Sequence, residues 1–155
     1  MGTIVILIIL AIVFVAFITS IKIVNTGSVS LVERLGQFHR VLEPGWHFLI
    51  PFADFVRRKI STKQQILDIE PQNVITQDNV KISIDNVIFF KVVNARDAVY
   101  NIESYKSGII YSTITNMRNI VGNMTLDECL SGRDKINLEL LQVVDEITDA
   151  YGIKI

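Results

Sequence analysis

The sequence predicts an α+β protein with an N-terminal transmembrane helix, because three successive regions have different periodicities. Residues 4–18 contain no polar side chain, and no charge occurs before Lys22. From Ser28 to Val93, apolar residues recur with the period of two that is typical of strands with one buried face. After Ala95 the period becomes that of amphipathic helices.

The first region is predicted to be a membrane anchor. Its uncharged stretch would span about 31 Å as a helix, close to the thickness of a bilayer's hydrocarbon core. A cleaved signal peptide is disfavoured because no Lys or Arg precedes the apolar run and no small-residue cleavage site follows Phe17. A myristoyl anchor is disfavoured because Ile6 stands where Ser or Thr is required. We therefore expect an anchor helix over residues 1–24 and one further domain over 25–155.

Charge is distributed unevenly along the chain. Residues 1–63 hold seven Lys or Arg against three acids, whereas the remainder holds eight against thirteen. Positive charge after the anchor favours a cytoplasmic position for the following domain, by the positive-inside rule. The basic half is also the half expected beside anionic headgroups, which attract each Lys or Arg by about 1 kcal/mol.

The middle region is predicted to form several strands. A first strand is broken at Gly36, and a second, residues 37–42, ends at the turn residues Pro44 and Gly45, so that the two strands form a hairpin. Strands over 65–70 and 73–76 precede a long strand over 80–93. Residues 87–90 are apolar at every position, and we expect this half of the long strand to be covered on both faces.

The segment from Trp46 to Phe55 combines one Trp, three Phe, Leu and Ile, and Pro51 prevents a regular helix there. The basic residues 57–59 follow directly. One interpretation is a buried strand that packs the core of a small β domain. The other is an aromatic segment that enters the bilayer interface while basic side chains hold headgroups. The residues themselves leave both open.

The last region is predicted to contain a long helix, a short helix and a second long helix. The first long helix should bury a stripe formed by Ile110, Ile114, Met117 and Val121. Thr125 and Glu128 have the spacing of a capping box, and Ser131 and Asp134 repeat it. Gly152 should cap the last helix, and the alternation at 153–155 suggests a strand cut short.

The sequence offers no recognisable catalytic chemistry. Its glycines are at least nine positions apart, which excludes the Walker loop and the dinucleotide fingerprint. His39 and His47 flank a turn, but their spacing matches no zinc pattern. The single Cys129 excludes an intramolecular disulfide framework. We therefore assign no catalytic, cofactor or metal residue, and we expect no nucleic-acid partner, because the one basic cluster is short.

The order of these features resembles a known family. The stretches VSLVERLGQFHRVLEPGWHFLIPFADFVRRKI, QQILDIEPQNVITQDNVKISIDNVIFFKVVN, DAVYNIESY and MRNIVGNMTLDECLSGRDKIN are similar to the SPFH (stomatin, prohibitin, flotillin) or band 7 family. The likeness covers residues 24–155 and is strongest to the bacterial stomatin and paraslipin branch. It implies an α+β SPFH domain with a β-rich membrane-proximal part, about 25–94, and a helix-plus-strand part that begins near 78.

The resemblance also implies a function without catalysis. Family members oligomerise at membranes, organise lipid microdomains and modulate partner membrane proteins, so we expect a membrane-anchored scaffold in a bacterial plasma membrane with its SPFH domain in the cytoplasm. An accessory regulatory subunit of a membrane protease is the alternative, and a membrane-bound hydrolase is a more remote one. The family's coiled coil is absent from this chain, which puts ring assembly by these residues in doubt.

Finally, the resemblance favours the interfacial interpretation of the aromatic segment, because the family's membrane-proximal part sits partly in the lipid interface. The candidate membrane-interface residues are Trp46, Phe48, Leu49, Ile50, Phe52 and Phe55, with Arg57, Arg58 and Lys59 as headgroup partners.

Overall fold

The structure is a computed structural model that describes residues 2–155, with the side chains of all but nine residues of the first helix. It divides into two compact units, of which the first ends at Thr62 and the second runs from Lys63 to Ile155. The elements are, in chain order, α1 (Gly2–Thr19), β1 (Ile21–Val24), β2 (Ser28–Arg34), β3 (Gln37–Leu42), β4 (Gly45–Phe48), β5 (Asp54–Ser61), β6 (Gln65–Ile75), β7 (Lys81–Val92), α2 (Ala95–Tyr100), α3 (Tyr105–Gly122), α4 (Leu126–Ser131), α5 (Arg133–Asp149) and β8 (Ile153–Lys154).

The first unit combines a ribbon and a sheet. Strands β1 and β4 form a two-stranded antiparallel ribbon, and β2 lies at the centre of a three-stranded antiparallel sheet in the order β3-β2-β5. The β2–β3 hairpin expected from the break at Gly36 is confirmed. Val24, Val32, Leu42 and Leu49 form a buried cluster between residues of the ribbon and the sheet.

The transmembrane anchor predicted over residues 1–24 is wrong. Helix α1 ends at Thr19, and residues 21–24 pair with β4 instead of continuing the helix. Among the residues that the structure describes, no helix combines the length and apolar character needed to cross a bilayer. The single-pass topology expected from that anchor therefore has no support among the described residues.

The second unit is an antiparallel sheet in the order β6-β7-β8, packed with helices. Val74 of β6 shares a buried cluster with Met117 and Val121 of α3 and Cys129 of α4. Because β6 and β7 pack against these helices, they belong to the second unit. The division between units therefore falls after Thr62, earlier than the membrane-proximal part expected to extend to about residue 94.

Two expectations for the strands are corrected. The strands predicted over 65–70 and 73–76 are one continuous strand, β6, whose register against β7 shifts between Ile69 and Gln72. The expectation that residues 87–90 are covered on both faces is wrong, since Ile88 and Phe90 are buried whereas Val87 and Phe89 are half exposed. The alternation of a strand with one buried face therefore continues through this apolar run.

The predictions for the ends of the helices are confirmed in part. The capping box of Thr125 and Glu128 is confirmed, and Gly152 adopts the left-handed conformation expected of it, with φ 66°. The second capping box is wrong, because the Ser131 hydroxyl donates to the Asp127 carbonyl and α5 begins after Gly132.

The buried stripe of α3 is also only partly as expected. Met117 and Val121 are buried, but Ile109 and Thr113 are buried where Ile110 and Ile114 were expected. The Thr113 hydroxyl donates to the Ile109 carbonyl at 2.8 Å, which allows a polar side chain to lie in the core.

Candidate lipid-contact surface

One face of the β1–β4 ribbon consists of exposed apolar side chains. Ile21 lies opposite Phe48, and Ile23 lies opposite Trp46. Directly opposed residues of antiparallel strands project from the same face, and so do residues two apart on one strand. These four side chains therefore form one surface, here called the ribbon face, on which Ile23 is 71% and Trp46 is 75% exposed.

The ribbon is held in place by contacts from both sides. The Phe17 ring of α1 meets the Phe48 ring edge to face, with centroids 5.3 Å apart. The Leu49 amide donates to the Ser20 carbonyl at 2.8 Å, and the Arg40 guanidinium donates to the Phe48 carbonyl at 2.6 Å. The ribbon face is thus an ordered surface of the first unit.

A second apolar surface lies where two turns meet. Leu35 follows β2, Ile50 and Phe52 lie between β4 and β5, and the Leu35 amide donates to the Ala53 carbonyl at 3.1 Å. Leu35 is 80% and Phe52 is 88% exposed, and Ile50 is half exposed. We call these three residues the apolar tip. Leu35 and Phe52 adopt positive φ angles of 51° and 67°, a conformation that side chains other than Gly, Asn and Asp rarely adopt.

An ion pair orders the chain at the apolar tip. The Asp54 carboxylate accepts from Arg34 Nε at 2.6 Å and from Arg34 Nη2 at 3.0 Å, and it also accepts from the Ile50 amide at 3.0 Å. The Asp54 side chain has no exposed area. The hydrogen bonds from Arg34 and the Ile50 amide lower the pKa of Asp54 from 3.8 to about 2, so the carboxylate stays ionised at neutral pH.

Two candidate residues of the aromatic segment lie elsewhere than on these surfaces. Leu49 is buried in the core of the first unit, because the chain turns inward between the ribbon and the tip, so it leaves the candidate set. Phe55 belongs to β5 and is exposed opposite Glu33. Phe38 of β3 also lies opposite Glu33, so Phe38 and Phe55 flank Glu33 on the same face of the sheet.

The basic cluster does not form one patch. Arg57 lies at an irregularity of β5 and contacts the Glu33 carboxylate at 3.6 Å. Arg58 lies opposite Leu31 and Lys59 opposite Ser30, so the two project from opposite faces of the sheet. Charges that are adjacent in sequence are thereby distributed around the first unit.

Sequence reasoning missed three exposed residues. Ile21 and Ile23 were assigned to the anchor, and only the pairing of β1 with β4 places them beside Trp46 and Phe48. Leu35 precedes the break at Gly36 and was not among the candidate residues. The signal that could have found it is the following Gly36, since a turn there leaves the preceding side chain at the tip of a hairpin.

Comparison with known proteins places the chain among a group of related sequences. Residues 22–155 match the model of the SPFH domain / Band 7 family. The chain is 39% identical over 149 residues to an uncharacterised protein of Methanothermobacter thermautotrophicus, a match that covers 96% of this chain and 46% of that protein. It is 36% identical over 148 residues to a stomatin homolog of Pyrococcus horikoshii, covering 96% and 55%. It is 32% identical over 124 residues to the mitochondrial stomatin-like protein 2 of Bos taurus, covering 80% and 35%. The chain thus spans about half or less of the length of these relatives.

Proposed function

The chain belongs to the SPFH domain / Band 7 family, and from that premise we propose that it is a membrane-associated, stomatin-like scaffold subunit. This membership confirms the resemblance found in the sequence. The proposed role is to hold a patch of lipid and its embedded proteins by repeated contact, with no chemical step. Two relatives whose names identify them as stomatin-like support this role.

The observation that carries the proposal is the ribbon face. Four large apolar side chains remain about half or more exposed on an ordered two-stranded ribbon. Full burial of one such side chain is worth about 1.5–3 kcal/mol, so partial burial of all four in a bilayer would contribute on the order of 4 kcal/mol. Trp46 suits this position because its ring is apolar while its indole N–H can bond to headgroups or water.

Contact with further subunits is the second half of the proposal. A groove of about 460 Å³ in the second unit is lined by residues of β7 and α5, and Leu141 of α5 contributes an exposed apolar side chain to it. Exposed apolar patches of this kind are typical of interaction surfaces. We propose that a second copy of the chain covers this groove in a homo-oligomer.

Tryptophan fluorescence tests the membrane contact directly. Trp46 is the only Trp of the chain, so contact made by any other segment gives no signal. With anionic vesicles, we expect a blue shift of its emission and quenching by lipids brominated in the acyl chains. Phe48→Ser should reduce both effects, whereas Tyr111→Ser, which removes an exposed aromatic of the second unit, should change neither. Unaltered Trp46 emission in the presence of vesicles would refute the contact.

The oligomer is tested by particle mass in nanodiscs. We expect the full chain to form particles of several copies, and Leu141→Ser to lower their size by removing an apolar side chain from the groove. The Tyr111→Ser variant again serves as the control, because it removes an exposed side chain from another element, α3. Single copies in the wild-type sample would exclude a homo-oligomer of these residues.

A further inference from the structure

We propose that the apolar tip is a preformed wedge that selects bilayers with loosely packed headgroups, such as strongly curved ones. This inference rests on the membrane contact proposed above and names the kind of membrane that the first unit prefers. Its basis is the juxtaposition of Leu35 and Phe52, both exposed and both in left-handed backbone, on two turns that are clamped together.

The backbone of the tip gives the first support. In residues 2–155, the positive φ angles outside glycine belong to Leu35, Phe52 and Asn79. Asn79 is the type of residue that tolerates this conformation, since its short side chain can bond locally. Leu and Phe lose backbone stability there, and their exposure to water adds a second cost. Strained positions that persist in this way are typical of functional sites.

The rigidity of the tip gives the second support. The Leu35 amide donates a hydrogen bond to the Ala53 carbonyl of the other turn. The Asp54 carboxylate accepts hydrogen bonds from both the Arg34 guanidinium and the Ile50 amide. A wedge ordered in advance loses little conformational entropy on insertion, so most of the gain from burying its side chains remains as affinity.

The shape and charge of the first unit identify the partner. The Leu35 and Phe52 side chains project from turns, so a partner that buries them must surround them. The acyl chains at a lipid interface can do so. Residues 1–62 hold six Lys or Arg against three acids, and this excess of positive charge complements anionic headgroups. Insertion of two side chains is shallow, and shallow apolar insertion depends on curvature and lipid packing because headgroups must separate to admit it.

Vesicle binding of the full chain tests the wedge. Small and large vesicles of the same anionic lipids are compared by flotation, and we expect the wild type to prefer small vesicles severalfold. Leu35→Asn and Phe52→Asn remove the apolar side chains while favouring the left-handed backbone, so these variants keep the fold. Each should weaken binding to small vesicles by about tenfold, which is the effect of losing one well-buried Leu or Phe. Leu138→Asn, which changes an exposed leucine of the second unit, should leave the preference unchanged.

A second readout separates this inference from the proposed function. In the double variant Trp46→Phe, Phe52→Trp, lipids brominated near the headgroups should quench the new indole more strongly than lipids brominated near the bilayer centre. If Trp46 of the wild type is quenched but the Leu35→Asn and Phe52→Asn variants keep their preference for small vesicles, the wedge is refuted and the membrane contact stands. If neither indole is quenched, both are refuted, and a tip that binds a protein instead would give that result.

Discussion

Replacing Asp54 by asparagine should loosen the apolar tip by a predictable amount. The carboxylate accepts three hydrogen bonds, two from Arg34 and one from the Ile50 amide, and its side chain is fully buried. Its pKa, lowered from 3.8 to about 2, corresponds to roughly 2 kcal/mol favouring the ionised folded state. Arg34 is 36% exposed, and solvent screens that end of the pair, so we expect a loss of about 1–2 kcal/mol.

The pH dependence of this loss follows from the direction of the shift. Because the folded pKa of Asp54 lies below its unfolded value, the stabilisation is fully present above about pH 4 to 5. It declines as the pH falls through the folded pKa near 2. The amide of the Asp54→Asn variant does not titrate, so the difference in stability between wild type and variant should be constant near neutrality and shrink in acid.

Hydrogen exchange at the Ile50 amide measures the effect locally. A loss of about 1–2 kcal/mol raises the exchange rate of this amide roughly 5- to 30-fold at a given pH. The Met124 amide, which donates to the Val121 carbonyl in the second unit, serves as the internal control. Equal Ile50 exchange in both proteins near pH 6, or a difference that persists undiminished at about pH 2, would refute the role assigned to the ion pair.

Three further predictions concern the second unit and are measured by thermal unfolding of the full chain in mild detergent. Met117→Ala should cost about 2–5 kcal/mol, because Met117 is 1% exposed in the core, and a loss below about 1 kcal/mol would mean that the site collapses around the cavity. Thr125→Ala should cost about 1 kcal/mol by removing the α4 cap, whereas Thr125→Ser should retain most of the stability; equal losses would contradict a capping role. Gly152→Ala should be strongly destabilising, because φ is 66° and a new Cβ would lie 2.5 Å from the Asn94 Cβ. Gly122→Ala is the control, since its Cβ would meet only the Ile75 carbonyl oxygen at 3.8 Å. Similar melting temperatures for the two alanine variants would show that the close approach at Gly152 is absent.

Local patterns predicted much of the fold. The break at Gly36, the period of two before Val93 and the spacing of Thr125 and Glu128 each depend on neighbours in the chain, and each led to the observed hairpin, strand or cap. The anchor failed because Ile21, Ile23 and Val24 continue the apolar character of the helix around the single charge of Lys22. The end of the helix at Thr19 was therefore not recognised, and the pairing of the next residues with Gly45–Phe48 reveals it.

The candidate surface was predictable only in part for a related reason. Trp46 and Phe52 are visible as unusual residues in the sequence, but their neighbours across strands are not. Arg34 and Asp54 are 20 positions apart, and their pairing depends on the register between β2 and β5. Burial of Leu49 between exposed neighbours depends likewise on how the ribbon meets the sheet.

The contacts of the basic residues determine which force dominates the proposed membrane contact. Arg34 and Arg57 are paired with Asp54 and Glu33, so their charges are largely neutralised within the protein. The net charge of residues 1–62 is then carried mainly by a few exposed side chains, each worth about 1 kcal/mol beside an anionic surface.

The two apolar surfaces outweigh that electrostatic contribution. The ribbon face and the apolar tip together expose seven large apolar side chains, each worth about 1 kcal/mol or more on partial burial. Salt screens charges but does not weaken burial of apolar area. Binding of the full chain to anionic vesicles should therefore fall only modestly as salt is raised, and should depend far more on Trp46 and Phe52 than on Arg58 and Lys59. A steep loss of binding with salt would instead assign the contact to the basic residues. The aromatic segment would then contribute little to the binding free energy.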